Sequence, residues 1–205
     1  MAIEELEKLD RPSSDDHSWR GELLIQLGRP HFETAAAAFH DALKLDGKSA
    51  RALYGLGLLA VFRKEFARAE NLARKALQVQ PNWSHARNLL AGALIDQKRY
   101  GEAEIILLEL ERDSTVATIA TGNLGELYLR QGRLKVAEAK LKQAVVQQPD
   151  NFNWHRLLGE VYSRLGQKSA ALAEYRRALE LLERSEWADK PLLEGIQVRI
   201  RELER

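Results

Sequence analysis

The chain has 205 residues, 45% of them hydrophobic, and nearly balanced charge: 31 lysines and arginines against 30 aspartates and glutamates, or +1 formally. So even a balance argues against nucleic acid or an anionic membrane as the main partner, since both need a sustained basic surface. With no cysteine, disulfide frameworks and thiol-rich metal sites are excluded, which fits a reducing compartment.

Residues 1–13 read as an N-terminal helix or arm. Ile3, Leu6 and Leu9 or Glu7 face inward over 2–10, and Pro12, Ser13, Ser14, Asp15 and Asp16 form a break and a helix start. The opening MAIEELEKLDRP lacks a basic stretch followed by an apolar one, and no apolar run nears about 18 residues. The expectation is a cytoplasmic chain without membrane insertion. A first helical hairpin spans about 14–49, its helices being His17–Leu27 and a second from Phe32. Its Gly28-Arg-Pro-His connection is two residues longer than the later ones.

From residue 50 the chain repeats itself every 34 residues, with hairpins at about 50–83, 84–117, 118–151 and 152–185. Ala69 falls on Ala103, Ala137 and Ala171. Leu56-Gly57 falls on Leu90-Ala91, Leu124-Gly125 and Leu158-Gly159. Ala60 falls on Leu94, Tyr128 and Tyr162, and Pro81 on Pro149. A fixed period with small residues at fixed points is the mark of stacked helical hairpins. The small residues allow helix axes to approach to the near end of about 8–10 Å. Trp83 and Trp154 open first helices and are expected to pack between neighbouring hairpins. Ile105-Ile106-Leu107-Leu108 is greasier than one buried stripe requires, leaving two readings: a well-buried helix, or an exposed patch for association. Over 186–205, Asp189-Lys-Pro191 starts a helix, and Leu192, Ile196, Ile200 and Leu203 share a face, as a C-terminal capping helix should.

The columns Leu124-Gly125-x-x-Tyr128, Ala137-x-x-x-Leu141-x-x-Ala144, Pro149, and again Leu158-Gly159-x-x-Tyr162, Ala171-x-x-x-Tyr175-x-x-Ala178, resemble the tetratricopeptide repeat family over about 14–185. The resemblance implies an all-α fold: a right-handed superhelical α-solenoid of five stacked hairpins with a capping helix. It also implies a non-catalytic scaffold that holds a partner's peptide or helix in its concave groove. At about 100° per residue, the second hairpin offers that groove Arg51, Tyr54, Leu58 and Phe62. The third offers His85, Asn88, Ile95 and Asp96; the fourth Ile119, with Asn123 beside it, Glu126 and Arg130; the fifth Asn153, Arg156, Glu160 and Arg164.

Aromatic anchors and arginines dominate binding hot spots, and the three arginines suit an acidic segment. In some relatives, lysines and asparagines on first helices clamp the terminal carboxylate of heat-shock chaperones. Here no regular first helix carries a lysine, so that clamp is not expected. The alternatives are a structural subunit of a larger assembly, such as bacterial envelope, pilus or secretion machinery, and a self-associating homo-oligomer. The five histidines lack ligand spacing and are expected at the surface or partly packed. No nucleophile elbow or phosphate loop occurs, so neither enzyme activity, metal nor cofactor is expected.

Overall fold

Apolar residues recurring at helical spacing, cut every few turns by Gly, Pro or a polar cluster, produce short paired helices. The computed structural model of the protein describes Leu6, Leu9, residues 11–188 and residues 190–205. The helix expected over 2–10 lies, apart from Leu6 and Leu9, outside those residues, as does Asp189. The helices are α1 (Ser14–Gln26), α2 (Phe32–Leu45), α3 (Ala50–Phe62), α4 (Phe66–Val79), α5 (Ser84–Asp96) and α6 (Tyr100–Leu110). They continue with α7 (Ala117–Arg130), α8 (Leu134–Gln147), α9 (Phe152–Arg164), α10 (Lys168–Glu183) and α11 (Lys190–Glu204). A 3₁₀ turn at Arg29–His31 takes up the longer first connection. No strand occurs among the described residues, so the fold is all-α.

Local chemistry sets the helix ends. Ser13 caps α1 in a reciprocal capping box with Asp16; Ser49 and Asn151 cap α3 and α9. The hairpin turns repeat with the sequence. Lys64 (φ 61°), Lys98 (φ 62°), Gly132 (φ 76°) and Gly166 (φ 73°) stand 34 residues apart, all left-handed. A side chain there costs about 1–2 kcal/mol, against about 0.5–1 kcal/mol for glycine's extra freedom when unfolded. Lys64→Gly is therefore expected to raise stability by about 0.5–1 kcal/mol, read as a higher urea midpoint; a lower midpoint would mean that Lys64 makes contacts worth more than its strain.

The chain divides into two compact units, Met1–Ala103 and Glu104–Arg205. In the first, α2 packs on α1 and α3, and α4 on α3 and α5. Phe39 on α2 is wholly buried. Its ring lies where a Cβ on Gly21 of α1 or Gly55 of α3 would have to be. Leu53, Ala76 and Ala86 form a core with Leu43, Tyr54, Leu72, Leu77 and Trp83 around it. Ala60, Ala69 and Ala93 form the next layer. Glu70 on α4 is a buried carboxylate tied to the following turn. It accepts from Gln97 (2.7 Å) and Arg99 (2.6 Å), and pairs with Arg74 along its own helix. Burial pushes its carboxyl up, but these donors outweigh that and hold it below the ordinary carboxylate range.

In the second unit α8 packs on α7 and α9, and α10 on α9 and α11. The repeated small residues are explained directly. Ala137 and Ala171 are fully buried. A Cβ on Gly125 would meet Leu141 at 2.6 Å, and one on Gly159 would meet Tyr175 at 3.1 Å. Trp154 is buried against Gly122 and donates from Nε1 to Gln148 Oε1 (3.2 Å). Tyr128 donates its hydroxyl to Glu104 (2.8 Å) under the Arg133 guanidinium. Ile196 of α11 is buried, and Arg176 pairs with Glu204 across α10 and α11. In the apolar run, Leu107 and Leu110 are buried, whereas Ile105 is 64% and Leu108 43% exposed. The run thus divides between core and surface, which neither expectation anticipated on its own.

Candidate interaction clefts

Each unit carries its own cleft, formed by first helices that lie side by side. In the first unit, α1 contributes Glu22, Ile25 and Gln26, α3 contributes Arg51, Tyr54 and Leu58, and Trp83 and His85 come from the start of α5. They enclose about 420 Å3. Tyr54 stacks on Trp83 with ring centroids 4.8 Å apart, and His85 meets it edge-on at 6.5 Å. The Arg51 guanidinium lies over the half-exposed Trp19 ring at 4.2 Å and donates from Nη1 to Glu22 at 2.9 Å. Burial raises the Glu22 carboxyl above its ordinary range despite Arg51 beside it. It also pushes the Tyr54 hydroxyl up to about 12, with the Glu22 charge adding to the effect.

In the second unit, Glu126, Leu129 and Arg130 of α7 face Arg156, Leu157, Glu160 and Arg164 of α9 across about 280 Å3. The leucines give an apolar floor and the charges line the walls. Arg130 pairs with Glu126 (2.6 Å), and Arg164 with Glu160 (2.5 Å). Arg164 also reaches the Leu129 carbonyl (3.4 Å). Arg156 differs: Nε (3.1 Å) and Nη2 (2.8 Å) both donate to the Asn153 amide oxygen, and no carboxylate among the described residues binds it. Three cations and two anions leave the cleft at +1.

Of the groove residues read from sequence, Arg51, Tyr54, Leu58 and His85 meet in the first cleft and Glu126, Arg130, Arg156, Glu160 and Arg164 in the second. Asn153 supports Arg156 from the rim. Asn88, Asp96 and Asn123 are half-buried but line neither cleft, and Ile95 is buried. Phe62 is also outside: its ring packs on Phe32 of the first hairpin, centroids 4.9 Å apart. Trp83 lines the cleft as well as packing between hairpins, so its sequence reading was too narrow. Trp19, Glu22 and Gln26 were missed, although for two of them a signal existed. Corrected for the longer first connection, which makes the offset 36 residues rather than 34, Glu22 and Gln26 fall in the columns of Leu58 and Phe62, while Trp19 falls in that of Gly55. His155, expected near the surface, is buried and bonded to Glu174. No cluster of metal-binding side chains occurs among the described residues, nor a helix long and apolar enough to cross a membrane.

Hairpins joined through buried small residues, with clefts between successive first helices, define a helical-repeat protein of the kind that engages other proteins. The tetratricopeptide repeat model matches residues 20–78 and 123–186, and a second model of that name matches 63–115. The chain belongs to the tetratricopeptide repeat family. Similar relatives include two tetratricopeptide repeat-containing proteins of Pseudomonas aeruginosa. PA4667 is 31% identical over 120 residues, covering 58% of this chain and 20% of the relative. PA4299 is 33% identical over 133 residues, covering 64% of this chain and 53% of the relative. The chain thus spans about a fifth of one and about half of the other. TTC0263, a tetratricopeptide repeat protein of Thermus thermophilus, superposes with a TM-score of 0.75 at 23% identity, covering 94% of this chain and 99% of that one. Members of this family mediate protein–protein interactions and are typically non-catalytic.

Proposed function

We propose that the protein is a non-catalytic interaction module that holds a segment of a partner protein in its clefts. The first cleft takes an apolar or aromatic side chain against Tyr54 and Trp83, as hot-spot anchors do. The second takes an acidic side chain or carboxylate on Arg156. One observation carries the acidic preference: Arg156 is oriented by a neutral amide while both neighbouring arginines have carboxylate partners. Its remaining donors are in place for a ligand's oxygens, and a charge-assisted bond there is worth about 1.5–3 kcal/mol.

Replacing Arg130, Arg156 and Arg164 together by alanine turns the cleft from +1 to −2. Affinity capture from the native host, read by mass spectrometry, is expected to lose the partner, or to weaken its recovery at least about tenfold with a flatter dependence on salt. Undiminished capture with unchanged salt dependence would remove the arginine cleft from the reading. A second reading, self-association or a place in a larger assembly, is favoured by the exposed Ile105 and Leu108 on one face of α6. Light scattering separates the two, since a monomer at tens of micromolar speaks against self-assembly.

A further inference from the structure

The rim of the arginine cleft is the first turn of α9, where Asn153 and Arg156 stand on either side of Trp154 and His155. That turn is tied down by side chains. Asn151 Oδ1 accepts from the Asn153 backbone (3.1 Å), and Gln148 Oε1 accepts from Trp154 Nε1 and from Asn151 Nδ2 (3.3 Å). His155 completes the set. Its ring is buried, with Nδ1 at 2.6 Å from Glu174 Oε2 on α10 and Nε2 at 2.9 Å from the Pro149 carbonyl. Both contacts face acceptors. A neutral imidazole has one N–H and can satisfy only one of them, leaving the other as lone pair against lone pair. The doubly protonated ring satisfies both.

We propose that His155 is held as an imidazolium whose second proton latches the turn at Pro149 and helix α10 onto the start of α9, keeping the arginine cleft in shape and releasing it as that proton leaves. The link to the cleft rests on the function proposed above; the latch does not. The charged groups facing the ring are Glu174 and Arg177, both from α10. Arg177 opposes protonation but is itself engaged by Asp150 (3.1 Å) and Glu180 (3.0 Å).

The sign follows from linkage. The Glu174 hydrogen bond, helped by the Pro149 carbonyl, raises His155 above its ordinary value against the cost of burial. The stabilisation is complete below the unfolded-state pKa, about 6.5. It is lost as pH rises through the higher folded-state value. Between the two, the local opening equilibrium climbs by up to about tenfold per pH unit.

Long-range 1H–15N spectra of the His155 ring are expected to show both nitrogens protonated at pH 7. Amide exchange across 149–160 and 168–178, corrected for intrinsic rate, should accelerate above pH 7 in the parent. It should do so much less in His155→Gln, whose amide does not titrate there. Glu174→Gln should move the ring's titration to lower pH. A single protonated nitrogen at pH 7, or the same pH profile in parent and His155→Gln, would overturn the latch. A hexaglutamate peptide titrated against the parent at pH 6 and pH 9 tests the coupling, with weaker binding expected at pH 9. No binding at either pH would fail the acidic-ligand reading while leaving the spectra to judge the latch; equal binding at both, with the latch demonstrated, would overturn the link to the cleft.

Discussion

Phe39→Ala is expected to destabilise the first unit by about 3–5 kcal/mol, the usual cost of emptying a fully buried aromatic site. The size follows from where the ring sits. Phe39 reaches from α2 against two glycines, Gly21 on α1 and Gly55 on α3, and it has no exposure. Removing it leaves a void between three helices whose backbones are already close, so the walls have little room to collapse. Gly55→Ala tests the same contact from the other side. Its new methyl would overlap the ring, which cannot swing into solvent, and the expected cost is about 1–3 kcal/mol or more. The double change Gly55→Ala with Phe39→Leu should recover part of that cost, because the smaller side chain vacates the space. Urea unfolding combined with amide exchange over residues 14–96 measures all three, together with Phe39→Leu alone, whose cost closes the cycle. If the two single costs simply added in the double variant, the ring would not be what excludes a side chain at Gly55.

How far the structure could be read in advance depended on whether a contact recurs. Ala69, Ala137 and Ala171 perform one task at each hairpin, so their period disclosed both the fold and the close-packed points. Gly21 against Phe39 is the first instance of a contact that recurs as Gly125 against Leu141 and Gly159 against Tyr175, masked by the longer first connection. Gly55, by contrast, has no glycine counterpart at positions 89, 123 or 157, and no column records its contact with Phe39. The clefts were legible in part for a related reason. Their walls come from the outward columns of first helices, and of the residues read from those columns Arg51, Tyr54, Arg156 and Arg164 line the clefts. Glu22 and Gln26 were hidden by a two-residue shift in register. Phe62 was misplaced because an aromatic at an outward position is ambiguous until the previous hairpin supplies Phe32. His155 was illegible in kind: its partners are a carboxylate 19 residues on and a backbone carbonyl, and no spacing rule points to either.

A second large effect is expected at Gly122 and Trp154, and here the sign of a glycine-to-alanine change is the argument. Within a helix, alanine normally gains about 0.5–1 kcal/mol over glycine. Gly92, in the middle of α5, has open space where a Cβ would go, so Gly92→Ala should show that gain. Gly122 has the same helical setting in α7, but its Cβ would come within 2.5 Å of Trp154 Cζ2. The indole cannot retreat, being buried and held by Gln148. Gly122→Ala should therefore cost about 1–3 kcal/mol, and Trp154→Ala about 3–5 kcal/mol. Trp154→Phe keeps most of the packing and loses the indole hydrogen bond, for which a cost of about 1 kcal/mol is expected beyond the smaller ring. Urea midpoints with amide exchange over 117–183 resolve these values. Stabilisation by Gly122→Ala would place the ring elsewhere than against α7. Because Trp154 stands directly before His155 and Arg156, the same variants report on the cleft: Trp154→Ala should weaken capture of an acidic peptide even with all three arginines intact, since Arg156 is only as well aimed as the turn that carries it.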